Sequence, residues 1–500
     1  MPERGGGRGV VAAENLKPGD LVLVSRPVAY ITSDFGTLPD AEELVESILS
    51  SDLSPAERAA LLDLHAGDDF GPEDPDGQGS GATDLTEERL YGIIGCNSFG
   101  EEFTDFASSL ARAAPPQAPQ DGAGAGGPVQ VGHLGLWPSF SMLNHSCCPN
   151  AVNYVVGGSM AVVAAGPVDQ GSELLINYLG AASLRPVEER QAGLAEAYAF
   201  SCGCPRCSLE LLHGCSTSSR SASAGSSSGS GGPVSVSEEL QVLLGRCADR
   251  AAELQDVAAA AATAAGDQLV ALLELAAQSA ADLAAAERLL TPPPQLLQQQ
   301  AHPVSPRQAV QWLRAAAYEL YSQRTAIAEA AARCAEAVEA EAVPVTAAVA
   351  EAEAEAEAEA EAEAASTAAG PSSEAAARTE RLWAEAAGAL ESQLGLVAAV
   401  APHSDLHVFL ATKALALAQA AEGRARARAG AHSAEAAEQG GGAVGGSGGS
   451  GDDGSGGVGS AAALARCCAV VRGRYGRRLS DGTVQRLLEG AAWGLSQVAV

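Results

Sequence analysis

Aromatic side chains are scarce in this chain, at 4% of 500 residues. Lysine is scarcer still: only Lys17 and Lys413, against 28 arginines. Basic residues as a class number 30 against 62 acidic ones, a formal net charge of −32. That balance argues against a general basic surface for gripping a phosphate backbone, so no direct nucleic-acid partner is expected. Long apolar runs are also missing. No stretch of about 18 residues stays apolar once its Glu, Arg and Gln are counted, which predicts no membrane span. Met1 to Gly9 lacks the apolar core of an export signal, and the early Glu3, Glu14 and Asp20 do not suit a transit peptide. The expected location is cytoplasmic and/or nuclear. Without an export signal, the eleven cysteines point to metal or reduced thiols before disulfides.

What is present is unevenly placed. Seven of eight Phe, five of eight Tyr and seven of eleven Cys lie in the first 215 residues. That part reads as mixed and mostly β. Val10 to Ala13 and Leu21 to Ile31 suggest two strands around a Pro18-Gly19-Asp20 turn. Asp40 to Ala66 turns helical, with Ser54-Pro55-Ala56-Glu57 as a capping box. Ala151 to Val156 and Met160 to Ala165 flank Gly157-Gly158-Ser159, a hairpin signal. Leu174 to Ile176 reads as a further buried strand. Ser216 to Ser237 is a Ser/Gly linker. Residues 238–500 are rich in Ala, Leu, Gln and Glu and predict helices at Glu238–Leu290 (broken near Gly266), Arg307–Ala342, Glu374–Val400, Leu406–Ala421, Ala461–Val471 and Thr483–Val498. Their pairing suggests a tetratricopeptide-like stack, although the 34-residue consensus is not visible. Low-complexity inserts occupy about 344–373 and 430–460. Arg424, Arg426 and Arg428 read as a solvated charge run, and His403 with His407 as a pair on a helix surface.

Three separated clusters carry chemistry. Gly7-Arg8-Gly9 precedes a strand and alone is a weak signal, since a glycine turn explains it. Asn144-His145-Ser146-Cys147-Cys148-Pro149-Asn150 sets polar groups between apolar stretches, where unpartnered they would be costly. Cys202, Cys204 and Cys207 form C-x-C-x-x-C, a spacing at which three thiolates wrap one tetrahedral zinc. A fourth ligand must come from elsewhere, and Cys147 is the natural donor. Chance clustering of reduced thiols is the alternative.

Together these clusters resemble the SET-domain protein lysine methyltransferases, in the SET-and-MYND (SMYD-like) branch and its MYND-less relatives. The resemblance runs from Gly7 to about Cys207. It includes Cys96-Asn97-Ser98-Phe99, Gly135-Leu136-Trp137-Pro138, Leu143 to Cys147, Pro149-Asn150 and Glu173 to Tyr178. The MYND zinc finger is lacking, since no Cys/His series lies between Ile31 and Leu90. The fold class implied is multidomain α+β. A β-rich SET domain with a pseudoknot would occupy 1–207, with a helical insertion at about 36–95 and a zinc-binding post-SET segment at 202–207. A 216–237 linker and an all-α, tetratricopeptide-like domain at 238–500 would follow.

The resemblance also assigns roles. Gly7, Arg8, Gly9, Asn97, Ser141, Asn144, His145, Tyr178 and Phe200 would hold S-adenosylmethionine. Tyr178 would be the catalytic tyrosine, and Phe99, Tyr178 and Tyr198 would line the lysine channel. Cys147, Cys202, Cys204 and Cys207 would hold a structural zinc. The implied activity is S-adenosylmethionine-dependent methyl transfer to lysine in a protein, histone or non-histone. The helical domain would offer a surface to a protein partner. A catalytically weak SET/zinc scaffold is the alternative, and intact Tyr178, Asn144 and His145 speak against it. A plastid-type SET enzyme is disfavoured by the cysteine cluster and the missing transit peptide.

Overall fold

The computed structural model describes residues 8–34, 37–67, 85–105, 129–215, 234–259, 265–298, 304–356, 371–439 and 459–488. Gly7, most of the Ser/Gly linker, the Glu/Ala repeat beyond 356 and the glycine tract at 440–457 lie outside the described residues.

Among the described residues, eight strands form three small sheets. β1 (Leu21–Ser25), β7 (Ser159–Ala164) and β6 (Ala151–Val156) make one, in the order β1-β7-β6. β2 (Ala29–Asp34), β4 (Val129–Leu136) and β3 (Phe99–Asp105) make the second, in the order β2-β4-β3. The third is a short parallel pair, β5 (Asn144–His145) on β8 (Leu175–Ile176). The single strand expected at Leu21 to Ile31 is two strands in different sheets. Pro27 stands at the break, where it has no N–H to donate, and Val28 N–H resumes pairing with the Leu136 carbonyl at 2.8 Å. Val10 to Ala13 is reduced to an isolated bridge, Val11 with Glu173. The β6–β7 hairpin turns at Gly157 and Gly158, both with positive φ (54° and 79°), as a two-residue primed turn requires. At Gly135 a Cβ would lie 2.5 Å from the Trp137 ring. Only glycine lets that indole pack flat on β4, fully buried, with Nε1 donating to the Gly158 carbonyl at 2.9 Å.

A helical insertion covers one side of the β2-β4-β3 sheet. α1 (Ala41–Leu49) starts at an Asp40/Glu43 capping box, and α2 (Pro55–Leu62) at the expected Ser54/Glu57 box with Pro55 in its first turn. α3 (Glu87–Asn97) follows. Leu44, Val45 and Ile48 pack with Leu61, Leu90, Ile93, Ile94 and Leu136. Emptying one of these sites by Leu→Ala would cost about 2–5 kcal/mol.

The remainder is helical: α4 (Val187–Tyr198), α5 (Pro205–Gly214), α6 (Val236–Ala259), α7 (Ala265–Leu289), α8 (Pro294–Gln298), α9 (Pro306–Ala315), α10 (Tyr318–Ala356), α11 (Pro371–Val400), α12 (Asp405–Gln439) and α13 (Ser460–Tyr475). Residues 481–488 are also helical. Consecutive helices pack together, α6 on α7, α10 on α11, α11 on α12 and α12 on α13. Their core includes Leu240, Trp312, Leu313, Leu390 and Val397, and it extends to Leu184 and Leu209 beside the cysteine segment. The helix expected at Arg307–Ala342 is broken between α9 and α10. The helix expected to end at Ala421 runs on to Gln439.

Three readings are corrected here. α7 is long and apolar enough to cross a membrane by length and composition. Its apolar residues Leu269, Leu272 and Leu275 are instead buried in the bundle, and its Asp282 pairs with Arg246 at 3.2 Å and with Arg250. The arginine run is not simply solvated. Arg424 lies over the Trp383 ring at 4.7 Å and pairs with Glu380 at 3.2 Å, and Arg428 reaches Glu380 at 2.7 Å, tying α12 to α11. Arg426 alone stays exposed. His403 and His407 are not a helix-surface pair. His403 has φ +60° and precedes α12, and its N–H donates to the buried Nδ1 of His407 at 2.9 Å.

Candidate active site

The site is built where β5 and β8 run side by side. Asn144 pairs with Leu175 and His145 with Ile176, so two segments remote in sequence lie adjacent. Asn150 braces them. Its Oδ1 accepts from Leu175 N–H and its Nδ2 donates to the Glu173 carbonyl, both at 2.8 Å. Asn144 Nδ2 donates to the Arg8 carbonyl at 2.8 Å and to Glu173 Oε1 at 2.7 Å. Asn144 thus spends one amide hydrogen on the N-terminal arm and the other on Glu173. Arg8 in turn pairs with Asp63 at 2.6 Å, linking the arm to the end of α2.

Tyr178 follows β8 and is fixed at both ends. Its N–H donates to His145 Nδ1 at 3.0 Å, and its hydroxyl donates to the Leu143 carbonyl. The ring lies 5.0 Å from Tyr198 and 5.2 Å from His145, centroid to centroid. Ala199 ends α4 in the left-handed region (φ +56°), turning the chain between Tyr198 and Phe200. A cavity of about 40 Å³ opens here. Its walls include Asn97, Phe99, Ser141, Tyr178 and Tyr198, together with Phe140. Phe99 meets Phe140 edge to face at 5.7 Å. Ser141 Oγ donates to the Asn97 carbonyl at 3.0 Å, and Asn97 Nδ2 donates to the carbonyls of His65 and Ile93, both at 2.7 Å. Burial, then the charge of Cys96, raises the Tyr198 pKa, so this phenol stays neutral.

Of the expected site residues, the structure brings Asn97, Phe99, Ser141, Tyr178 and Tyr198 to one cavity. Asn144, His145 and Phe200 stand beside it, with His145 and Phe200 rings 6.0 Å apart. His145 is buried with both ring nitrogens engaged, Nε2 lying 3.3 Å from Cys147 Sγ.

The sulfurs of Cys147, Cys202, Cys204 and Cys207 all lie within 4.8 Å of one another, and all four residues are buried. Cys204 is the N-cap of α5, its Sγ accepting from Cys207 N–H at 3.5 Å. Gln191 pins the Cys202 backbone from both sides, at 2.7 and 2.8 Å. Hydrogen bonding from Cys147 is the largest cause holding Cys202 down at about 4, and it also pushes Cys204 below the thiol range. Cys147 and Cys207 are raised by their bonds to the other sulfurs, Cys202 first for Cys147 and Cys147 first for Cys207. A divalent cation removes this competition, since all four sulfurs can then be thiolates.

Sequence reasoning missed the groups behind the cysteines. Arg190 Nη1 and Nη2 meet the Glu210 carboxylate at 2.9 and 3.1 Å, and Nη2 lies 3.4 Å from Cys207 Sγ. Arg206 Nε reaches Glu210 at 2.7 Å, and its Nη1 donates to the Cys147 carbonyl at 3.2 Å. Two buried arginines on one buried carboxylate leave an excess positive charge, which is expensive in isolation. Four thiolates around one divalent cation would carry an excess of two negative charges, which the excess positive charge of the arginine pair partly offsets. The donor set and this charge fit a structural zinc. The i,i+4 spacing of Arg206 and Glu210 was the available signal.

Residues 7–179 match the SET domain family. The chain therefore carries a SET domain, followed by a helical region. Within that class its resemblance is to the SMYD-like lysine methyltransferases. N-lysine methyltransferase SMYD2-B of Xenopus laevis is 36% identical over 83 residues, 16% of this chain and 19% of that protein. Histone-lysine N-methyltransferase SMYD3 of Mus musculus is 40% identical over 77 residues, 15% and 18% respectively. Potential protein lysine methyltransferase SET6 of Saccharomyces cerevisiae is 37% identical over 81 residues, 16% and 21%. The chain spans about a fifth of the length of these curated relatives.

Proposed function

We propose that this chain is a protein-lysine N-methyltransferase that takes its methyl group from S-adenosylmethionine. The observation that carries the reading is Tyr178, clamped at both ends beside an aromatic cavity next to the β5–β8 pair. Bound S-adenosylmethionine supplies an electrophilic methyl on a sulfonium. On the family resemblance, Asn144, Arg8 and Gly9 would hold it, with Phe200 beside the base.

The lysine substrate must arrive uncharged, because its nitrogen lone pair attacks the methyl carbon as the carbon–sulfur bond breaks. A free lysine has a pKa near 10.4, and an apolar sleeve lowers it by disfavouring the ammonium form. Phe99, Tyr178 and Tyr198 supply that sleeve. The Leu143 carbonyl orients the Tyr178 hydroxyl, whose oxygen would receive weak C–H···O contacts from the polarised methyl. Alignment of nitrogen, carbon and sulfur does most of the rest, since effective molarities for well-oriented groups reach about 10⁵ M or more. The partner is a protein presenting a lysine.

The test is transfer of labelled methyl from S-adenosylmethionine to lysine in a protein lysate, with Tyr178→Phe beside the unaltered chain. Label that falls strongly in the variant supports the reading. No label, with no S-adenosylmethionine binding by calorimetry, overturns it.

A further inference from the structure

The imidazole of His145 touches two parts of the site at once. Tyr178 N–H donates to Nδ1 at 3.0 Å, so Nδ1 carries no hydrogen. A neutral ring then has its proton on Nε2, which lies 3.3 Å from Cys147 Sγ and donates to it. The ring is sealed from solvent, at 2% exposure. Its backbone is held in register by pairing with Ile176, two residues before Tyr178. We propose that His145 is a positioning residue that couples the four-cysteine centre to the backbone of Tyr178. Metal on Cys147 would fix the sulfur, the sulfur holds the imidazole, and the imidazole holds the amide of the tyrosine. The Leu143 carbonyl fixes the far end of the same side chain. The metal centre thereby sets where the phenol stands, without touching substrate. The catalytic consequence rests on the role proposed above for Tyr178, while the coupling itself does not.

Two substitutions separate the two bonds. His145→Asn keeps an acceptor near the Nδ1 position and loses the donor to sulfur. His145→Gln keeps a donor near the Nε2 position and loses the acceptor for Tyr178. Metal transfer to a chelator and hydrogen exchange at the Tyr178 amide are the readouts. For His145→Asn, metal release should speed up by about 10–100-fold, and stripping the metal should then change Tyr178 exchange by less than about threefold, because the link to sulfur is cut. For His145→Gln, exchange should speed up by about tenfold while metal release stays within about threefold. Should either variant fold poorly by circular dichroism, the unaltered chain decides. Stripping its metal should speed exchange at Tyr178 by about tenfold more than at Val162 in β7. Unchanged metal release in His145→Asn, or metal stripping that speeds Tyr178 exchange as much in that variant as in the unaltered chain, overturns the coupling, as does equal acceleration at Tyr178 and Val162 in the unaltered chain. None of these readouts needs turnover. A chain that passes them yet transfers no methyl would refute the activity and leave the coupling intact.

Discussion

Arg190 and Cys207 meet in the protein interior, guanidinium nitrogen to sulfur at 3.4 Å. A cation beside a thiol is ordinary at a surface and consequential in a core, where burial alone would press the guanidinium toward neutrality. The Glu210 carboxylate outweighs that pressure and keeps Arg190 charged. The assembly of Arg190, Arg206, Glu210 and the four cysteines is therefore one electrostatic unit.

Breaking that unit has a predictable sign. Glu210→Gln leaves two buried guanidinium groups without their shared carboxylate. It should destabilise the folded chain by about 3–5 kcal/mol, read by urea denaturation, and lower the metal content measured by mass spectrometry. Unchanged stability with full metal content would count against the charge argument.

Asn144 spends both amide hydrogens on the arm and on Glu173. Asn144→Ala should release the arm and weaken S-adenosylmethionine binding by about tenfold, the value of roughly one lost hydrogen bond to a charged or buried partner. Calorimetric titration measures it. An unaltered dissociation constant would show that the arm holds its place without this bond.

Gly473 has no room for a side chain. A Cβ there would lie 2.1 Å from the His403 ring, which is itself held near the Val470 carbonyl at 3.2 Å. Gly473→Ala should destabilise by about 1–3 kcal/mol or more. Gly245, on α6 with nothing within 4 Å of its would-be Cβ, is the control. Gly245→Ala should stabilise by about 0.5–1 kcal/mol. Denaturant midpoints of the two variants should move in opposite directions.

His407 predicts a pH dependence. Burial, then the neighbouring His403, lowers its pKa to about 3 in the folded chain. In the unfolded chain a histidine titrates near 6.5. Between those values the unfolded state takes up a proton that the folded state refuses, so stability present above about pH 6.5 is lost as pH falls through that window. His403 and His213 are lowered in the same direction, each chiefly by burial. The melting temperature should therefore drop from pH 7 to pH 5. His407→Asn, which keeps an acceptor for His403 N–H, should flatten the slope. Parallel slopes would reject the assignment.

Much of this architecture is legible where a short segment carries its own signal. The Ser54/Glu57 box, the Gly157-Gly158 turn and the C-x-C-x-x-C spacing each act over a few residues, and each stands as expected. Other features depend on partners far away in the chain. β3 and β4 pair across a long insertion, and neither has a turn signal to announce it. Pro27 divides a run of apolar residues that looked continuous, because only the sheet assignment shows that the two halves separate. Arg424 reads as solvated until Trp383 and Glu380, some forty residues earlier, are brought against it. His145 is the sharpest case at the site. Its motif points to a place at the cofactor, and nothing in the motif tells that its ring faces a sulfur and an amide whose positions only the folded chain defines.

Leu184 and Leu209 belong to the same apolar cluster as Leu240, Trp312 and Leu390. A cut after Cys207 would therefore pass through an interior and not along a joint. The first 207 residues, taken alone, would leave Leu184 uncovered where Leu209 and the helices had been. The SET-domain segment of this molecule shares part of its inside with the helical segment.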